Sequence, residues 1–234
     1  MGYTQHWYRP MVIADDAFRA IRLDFEKLIL PMADIGVNLA GPCGRNEPEV
    51  NDECIAFNGP DDCGHPKNEE IFVPYPTDDA RGLGPGETAI DESANGLVTK
   101  IMHRCCSGRC SHESFLFPKA AGRGHEPVED DRDTKGLTFY WTKTAFKPYD
   151  IAVTAALLIA KRYLHNQLVI HSDGLDMQWA DAKELCQRHL GYGDWFGIVE
   201  DPIIDLWPGP NGTQVEREVR LRILVEMDPA AFRV

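Results

Sequence analysis

The sequence lacks any stretch of eighteen or more apolar residues. Its most apolar run, Ile151 to Ala160, ends at Lys161-Arg162 and is too short to cross a bilayer. The opening MGYTQHWYRP has no apolar signal-peptide core. Met1-Gly2 matches the start of a myristoylation signal only superficially, because Tyr3 and His6 fit that pattern badly. These absences predict a cytoplasmic protein with no membrane partner. Basic residues are also scarce: 24 Lys and Arg stand against 37 Asp and Glu, for a net charge of −13. Such acidity opposes non-specific binding to nucleic acid and to anionic membranes. There is no Gly-x-x-x-x-Gly-Lys-Ser/Thr loop, Gly-x-Gly-x-x-Gly turn, Gly-x-Ser-x-Gly elbow or His-Glu-x-x-His helix. Nucleotide hydrolases, dehydrogenases, esterases and zinc proteases of the common kinds are therefore not indicated.

What is present is ordinary globular material. The 234 residues are 43% hydrophobic, enough to bury a core. Seven cysteines, an odd number without an export signal, argue against a disulfide framework and leave metal binding or plain thiols.

Residues 3–9 alternate aromatic and polar side chains and predict a strand. Asp15 or Asp16 is placed to cap a helix over about 17–30, with Phe18, Ile21, Phe25, Leu28 and Ile29 at helical spacing and Pro31 ending it. Short strands are expected at 53–57, 97–103, 114–117 and 137–142. A buried helix over 151–164 leads to a strand at 167–171 and a second helix over about 176–189, stopped by Gly191. Val219, Leu221, Ile223, Val225 and Met227 alternate as in a half-buried strand. Residues 60–96 are rich in Pro, Gly, Asp and Asn, too long a loop for a compact domain unless it is tethered. The expectation is one α+β domain spanning 1–234, with a mixed sheet, about three packed helices and a polar insertion over about 60–112.

Both ends of that insertion carry a Cys-x-His phrase. Cys63, His65, Cys110 and His112 offer the thiolate and imidazole ligands that zinc prefers, with Cys105 or Cys106 able to replace one of them and His103 nearby. A structural zinc there would close the loop and offset its entropy. The alternative is a set of reduced thiols.

A second candidate site precedes the helix at 151. Lys143, Thr144, Lys147 and Tyr149 surround a helix entry, where free N–H groups suit an anion; the alternative is a solvated turn. A third is the first strand, whose Tyr3, Trp7 and Arg9 have the chemistry to stack on a base and grip a phosphate, although alternation must bury one face. His112, Glu113 and Asp173 are the acid–base candidates. Asp173 sits in an Asp-Gly turn after a strand, and His112 and Glu113, being adjacent, would point to opposite faces of a strand.

Several phrases together resemble a family of uncharacterised phage and bacterial proteins that opens with Gly-Tyr-Thr-His-Tyr-Trp. They are Gly2-Tyr3-Thr4-Gln5-His6-Trp7, Phe57-Asn58-Gly59, His112-Glu113-Ser114-Phe115, Lys143-Thr144-Ala145, Lys147-Pro148-Tyr149-Asp150 and Ser172-Asp173-Gly174. The similarity spans about residues 2–193 and departs at Gln5-His6. It implies a phage or prophage context and one shared polar site grouping Tyr3, Trp7, Asn58, His112, Lys143, Lys147, Tyr149 and Asp173. The expected role is binding of a small anionic, nucleotide-like ligand, for instance to sequester a host defence signal. The alternatives are a hydrolase or transferase acting on such a ligand, and an acidic protein-binding or assembly module. Self-association into a homo-oligomer is left open.

Overall fold

Alternation in the first segment does produce a strand, and the rest of the molecule is arranged around it. The computed structural model describes residues 3–65, 70–71, 104–106, 108–122, 124–129, 134–174, 176–193, 195–208 and 214–226. The strand expected at 97–103, with His103, lies outside them.

In chain order the elements are β1 (Thr4–Arg9), α1 (Asp15–Asp34), β2 (Glu49–Val50), β3 (Cys54–Phe57), β4 (Glu70–Ile71), β5 (Arg104–Cys105), β6 (Phe115–Pro118) and β7 (Thr138–Lys143). Then come α2 (Asp150–Leu164), β8 (Val169–Ser172), α3 (Ala180–Leu190), β9 (Phe196–Pro208) and β10 (Gln214–Glu226). Strands are ordered β7-β1-β8-β10-β9 in a five-stranded sheet, β2-β3-β6 in a small second sheet, and β4-β5 as a pair. This is an α+β fold. Every pairing between these strands is antiparallel, where a mixed sheet had been expected. The helices pack against one another, and none serves as a crossover between parallel strands.

The core follows from hydrophobic patterning. α2 is apolar around nearly its whole circumference and is buried from Asp150 to Lys161, so neighbours cover it on all sides. α1 and α3 pack on it, and α1 presents Phe18, Ile21, Phe25, Leu28 and Met32 to the interior. Trp7 on β1 stacks on Tyr140 and meets Phe115, and Phe25 stacks on Phe57. These aromatics join the two sheets to α1 in one cluster.

Several boundaries differ from expectation. α1 runs through Pro31 to Asp34, because a proline in the last turn forfeits only one hydrogen bond and Met32 is drawn into the core. Asp16 accepts a hydrogen bond from the Ala17 amide (2.9 Å), yet the N-cap position itself is Ala14. α3 ends at Gly191 in a left-handed conformation (φ 78°), as anticipated. β9 was not foreseen. It carries Pro202 and Pro208, which an edge strand tolerates and a central one does not. Among the described residues, no helix is long and apolar enough to cross a membrane.

Candidate metal centre

The site forms where the two ends of the insertion meet. β3 runs into the segment 58–65, and the segment 106–112 leads into β6. β3 and β6 are paired, so these segments leave the sheet side by side. Asn58, fully buried, holds them together. Its side-chain amide donates to the His112 carbonyl (3.0 Å), and its side-chain oxygen accepts from the His112 and Gly59 amides (3.1 and 2.8 Å). The Cys110 amide donates to the Pro60 carbonyl (3.1 Å), and the Ser111 hydroxyl to Asp61 (3.0 Å). Farther out, β4 and β5 pair as a second rung across the base of the insertion.

Within this zipper, Cys63, His65, Cys106 and Cys110 bring four ligand atoms within 4.8 Å of one another. The Cys63 and Cys106 sulfurs are 3.2 Å apart, and the Cys110 sulfur is 3.4 Å from His65 Nδ1. Four ligands at bond lengths near 2.3 Å in a tetrahedron sit roughly 3.8 Å apart, so the cluster fits a four-coordinate metal. Cys106 and Cys110 are buried and the other two partly so. Burial opposes ionisation of Cys63, but the His65 amide and the Cys106 and Cys110 thiols outweigh it and bring its pKa down to about 7. Burial raises the Cys106 and Cys110 pKa values; Cys63 adds to both and Cys106 adds to that of Cys110, while the hydrogen bond with Cys110 pulls the other way on Cys106. A cation at the centre would favour all three thiolates.

His112, expected in this cluster, lies outside it, and Cys106, named as a possible substitute, completes the four. With its backbone pinned by Asn58, His112 turns its ring toward β7, where Nδ1 lies 2.7 Å from the Lys143 carbonyl. The turn from Cys106 to Cys110, closed by the Arg109 amide on the Cys106 carbonyl (3.2 Å), delivers Cys106 to Cys63 instead.

One cation braces this turn, and a second is buried just before it in the chain. Lys147, nearly buried, donates to the Cys106 carbonyl and to the Arg109 carbonyl (3.0 Å). It is aimed there by a turn in which Ala145 and Phe146 both adopt positive φ (49° and 55°), a strained pair for non-glycine residues. Arg104, two residues before Cys106, is wholly buried. It pairs with Asp181 on α3 and with Asp150 at the start of α2 (3.7 Å), donates to the Gln178 carbonyl (3.3 Å), and lies over the Phe146 ring at 4.8 Å. Burial raises the pKa of both carboxyl groups, against the opposing pull of Arg104. Sequence reasoning singled out neither Arg104 nor Asp181, and no local spacing marks such a pair.

The residues expected to grip a ligand are distributed as follows. Trp7, Asn58, Thr144 and Tyr149 are fully buried. Thr144 donates to Asp150 (2.7 Å) and Tyr149 to the Glu113 carbonyl (2.6 Å). Arg9, also buried, lies over Tyr140 and Phe117 and donates to the Pro10 carbonyl (2.9 Å). Tyr3 sets its ring edge against Phe146, and Lys143 is half-buried. Glu113 accepts from the Lys143 amide (2.9 Å), and the amide of exposed Asp173 donates to Thr4 (3.0 Å). Thr4 pairs with Lys143, so His112, Glu113 and Asp173 gather at one end of the large sheet.

Two of the surface clefts among the described residues lie away from the cluster of Cys63, His65, Cys106 and Cys110. One, of about 350 Å³, is lined by Asp15, Phe18, Arg19, Arg22, Asp52 and Lys119. The other, of about 300 Å³, is lined by Glu113, Ser114, Leu116, His125, Tyr140 and Trp141. Neither includes Tyr3, Trp7, Lys143, Lys147 or Asp173.

No protein-family model matches the chain, and searches of curated proteins and of solved structures found no match either.

Proposed function

We propose that this chain is a zinc-stapled binding protein in which Cys63, His65, Cys106 and Cys110 hold one structural zinc ion. The observation that carries this reading is the convergence of those four ligand atoms at the base of the insertion. Three thiolates and one imidazole are a zinc donor set. Four protein ligands leave no open position for water or substrate, which is the mark of a structural site. The metal closes a loop whose polar composition supplies little packing of its own.

The test is metal analysis of protein purified without a histidine tag. About one equivalent of zinc per chain is expected, released together with thiol reactivity when a chelator is added. Less than about a tenth of an equivalent, both as isolated and after zinc addition to the reduced protein, would overturn it.

A second reading concerns what the stapled scaffold binds. The cleft beside β6 and β7 has an exposed face of Trp141 (54% accessible) and a His125 ring stacked on Tyr140 at 4.3 Å. That favours a small planar ligand, of which a nucleotide is one class. A thermal-shift screen of nucleotides and cyclic nucleotides against the wild type and Trp141→Ala tests it. Stabilisation lost in the variant is expected, and no stabilisation of the wild type by any member would sink it.

A further inference from the structure

We infer that Arg104 links occupancy of the metal centre to the integrity of the helical core, a step that rests on the zinc reading above. Arg104 belongs to the insertion, not to the core it enters. It lies on β5, two residues before Cys106, and its chain neighbours are held by the β4 pairing and by the metal cluster. Its guanidinium nevertheless sits between the N-terminal ends of α2 and α3, with no exposure to solvent. There it is the counter-ion of Asp150, the first residue of α2, and of Asp181, in the first turn of α3.

Both carboxylates are buried as deeply as the arginine, and their other partners are neutral. Asp150 accepts from Thr144 (2.7 Å) and Gln5 (3.3 Å). Tyr3 and Tyr149, which feel the Asp150 charge, are each kept in the neutral form by burial and by that charge. No second cation is recorded on either carboxylate among the described residues. Withdrawing Arg104 therefore leaves two negative charges buried side by side at the junction of two helices, a far worse state than an exposed broken pair.

The metal decides whether Arg104 stays. Besides its own ion pairs, the segment 104–110 is held by the β4 pairing, by the Cys110 amide on the Pro60 carbonyl, by Arg109 against Asp61 (3.5 Å), by Lys147 on the turn carbonyls and, with zinc bound, by the Cys106 and Cys110 ligands. Losing the ion removes the two ligand bonds that follow the arginine in the chain, leaves the weaker polar contacts to hold it, and so loosens the first turn of α3. By reciprocity, weakening the carboxylate cradle must weaken zinc binding, although neither carboxylate touches the metal.

The experiment compares the zinc-loaded and chelator-stripped forms of the full chain by hydrogen exchange over residues 176–190, and measures zinc affinity by competition with a chromophoric chelator. In the wild type, chelation is expected to speed exchange in that helix at least about tenfold. In Asp150→Asn with Asp181→Asn, chelation should change it little, and zinc should bind about tenfold more weakly than to the wild type. If the double variant does not fold, Asp181→Asn alone, which keeps an acceptor for Arg104, carries the same two readouts. A wild type that binds no zinc would overturn the metal reading and this one with it. Stoichiometric zinc with exchange in α3 indifferent to chelation, or with unchanged affinity in the carboxylate variants, would overturn the linkage alone.

Discussion

A β-carbon on Gly59 would lie 2.1 Å from the carbonyl oxygen of Cys110. The two segments that bear the Cys63–His65 and Cys106–Cys110 cluster are thus in backbone contact at that point, and no side chain fits between them. Gly59→Ala must push the 106–112 segment away from Cys63 and His65. The expected cost is about 1–3 kcal/mol of stability, with a fall in bound zinc. Gly122, whose added β-carbon would meet nothing within 4 Å, is the control, and Gly122→Ala should change neither quantity. Denaturant midpoints and metal-to-protein ratios of the two variants check this.

The choice between Cys106 and His112 as fourth ligand is equally direct. Cys106→Ser is expected to cost at least about tenfold in zinc affinity, since it removes a ligand that lies 3.2 Å from Cys63. His112→Ala should keep the zinc, because that ring is engaged with the Lys143 carbonyl. Zinc retention lost in His112→Ala and kept in Cys106→Ser would reverse the assignment.

This pair also shows how far the sequence could be read. The two Cys-x-His phrases, with Cys105 or Cys106 named as a substitute, marked the region where Cys63, His65, Cys106 and Cys110 come together in a cluster that could hold a metal. The symmetry of the phrases then pointed to His112, but Asn58, distant in sequence, fixes the backbone there and turns the ring away. α2 was legible because its apolar residues fill the whole helix circumference, and β1 because it alternates. β9 was not: it carries Pro202 and Pro208, which disfavour a strand in general, and only its place at the sheet edge makes them harmless. The Arg104, Asp150 and Asp181 cluster joins three separate elements through long-range contacts, which no periodicity encodes. Trp7 and Arg9 had the chemistry of a ligand grip, yet the face of β1 that carries them packs on Tyr140 of β7 and on Phe117 of the second sheet, which places both in the interior.

Lys147 is the brace whose removal should speed loss of the metal. Its ammonium caps the Cys106 and Arg109 carbonyls, and Lys147→Met of similar length leaves both without that donor. The Arg109 carbonyl loses that donor while the Cys106 carbonyl keeps the Arg109 amide, a cost of about 1–2 kcal/mol. Transfer of zinc to a competing chelator is expected to be about tenfold faster in the variant, in line with that cost. Transfer at the wild-type rate would mean that the turn holds its shape without the lysine.

Asp24 gives a prediction that is independent of the metal. It is a nearly buried carboxylate on α1. One oxygen accepts from Tyr163 (2.5 Å) and Tyr192 (2.8 Å), and the other from Lys27 (2.6 Å), so it ties α1 to α2 and to the segment after α3. Burial alone would raise its pKa, but these three donors outweigh it and hold the carboxyl below its ordinary value. The Tyr163 phenol is correspondingly pushed up to about 12 by its own burial and by Asp24, so it does not titrate in the same range. A depressed folded-state pKa means that the stabilisation is fully present above the unfolded value, near 4, and is lost as pH falls through the folded value. Asp24→Asn keeps an acceptor but loses the charge, and is expected to cost about 2 kcal/mol at pH 7. Urea unfolding of the wild type and variant should show the same gap at pH 7 and pH 6, narrowing below about pH 4. A gap that stays constant down to pH 3 would show that the ionised form of Asp24 does not carry the stabilisation.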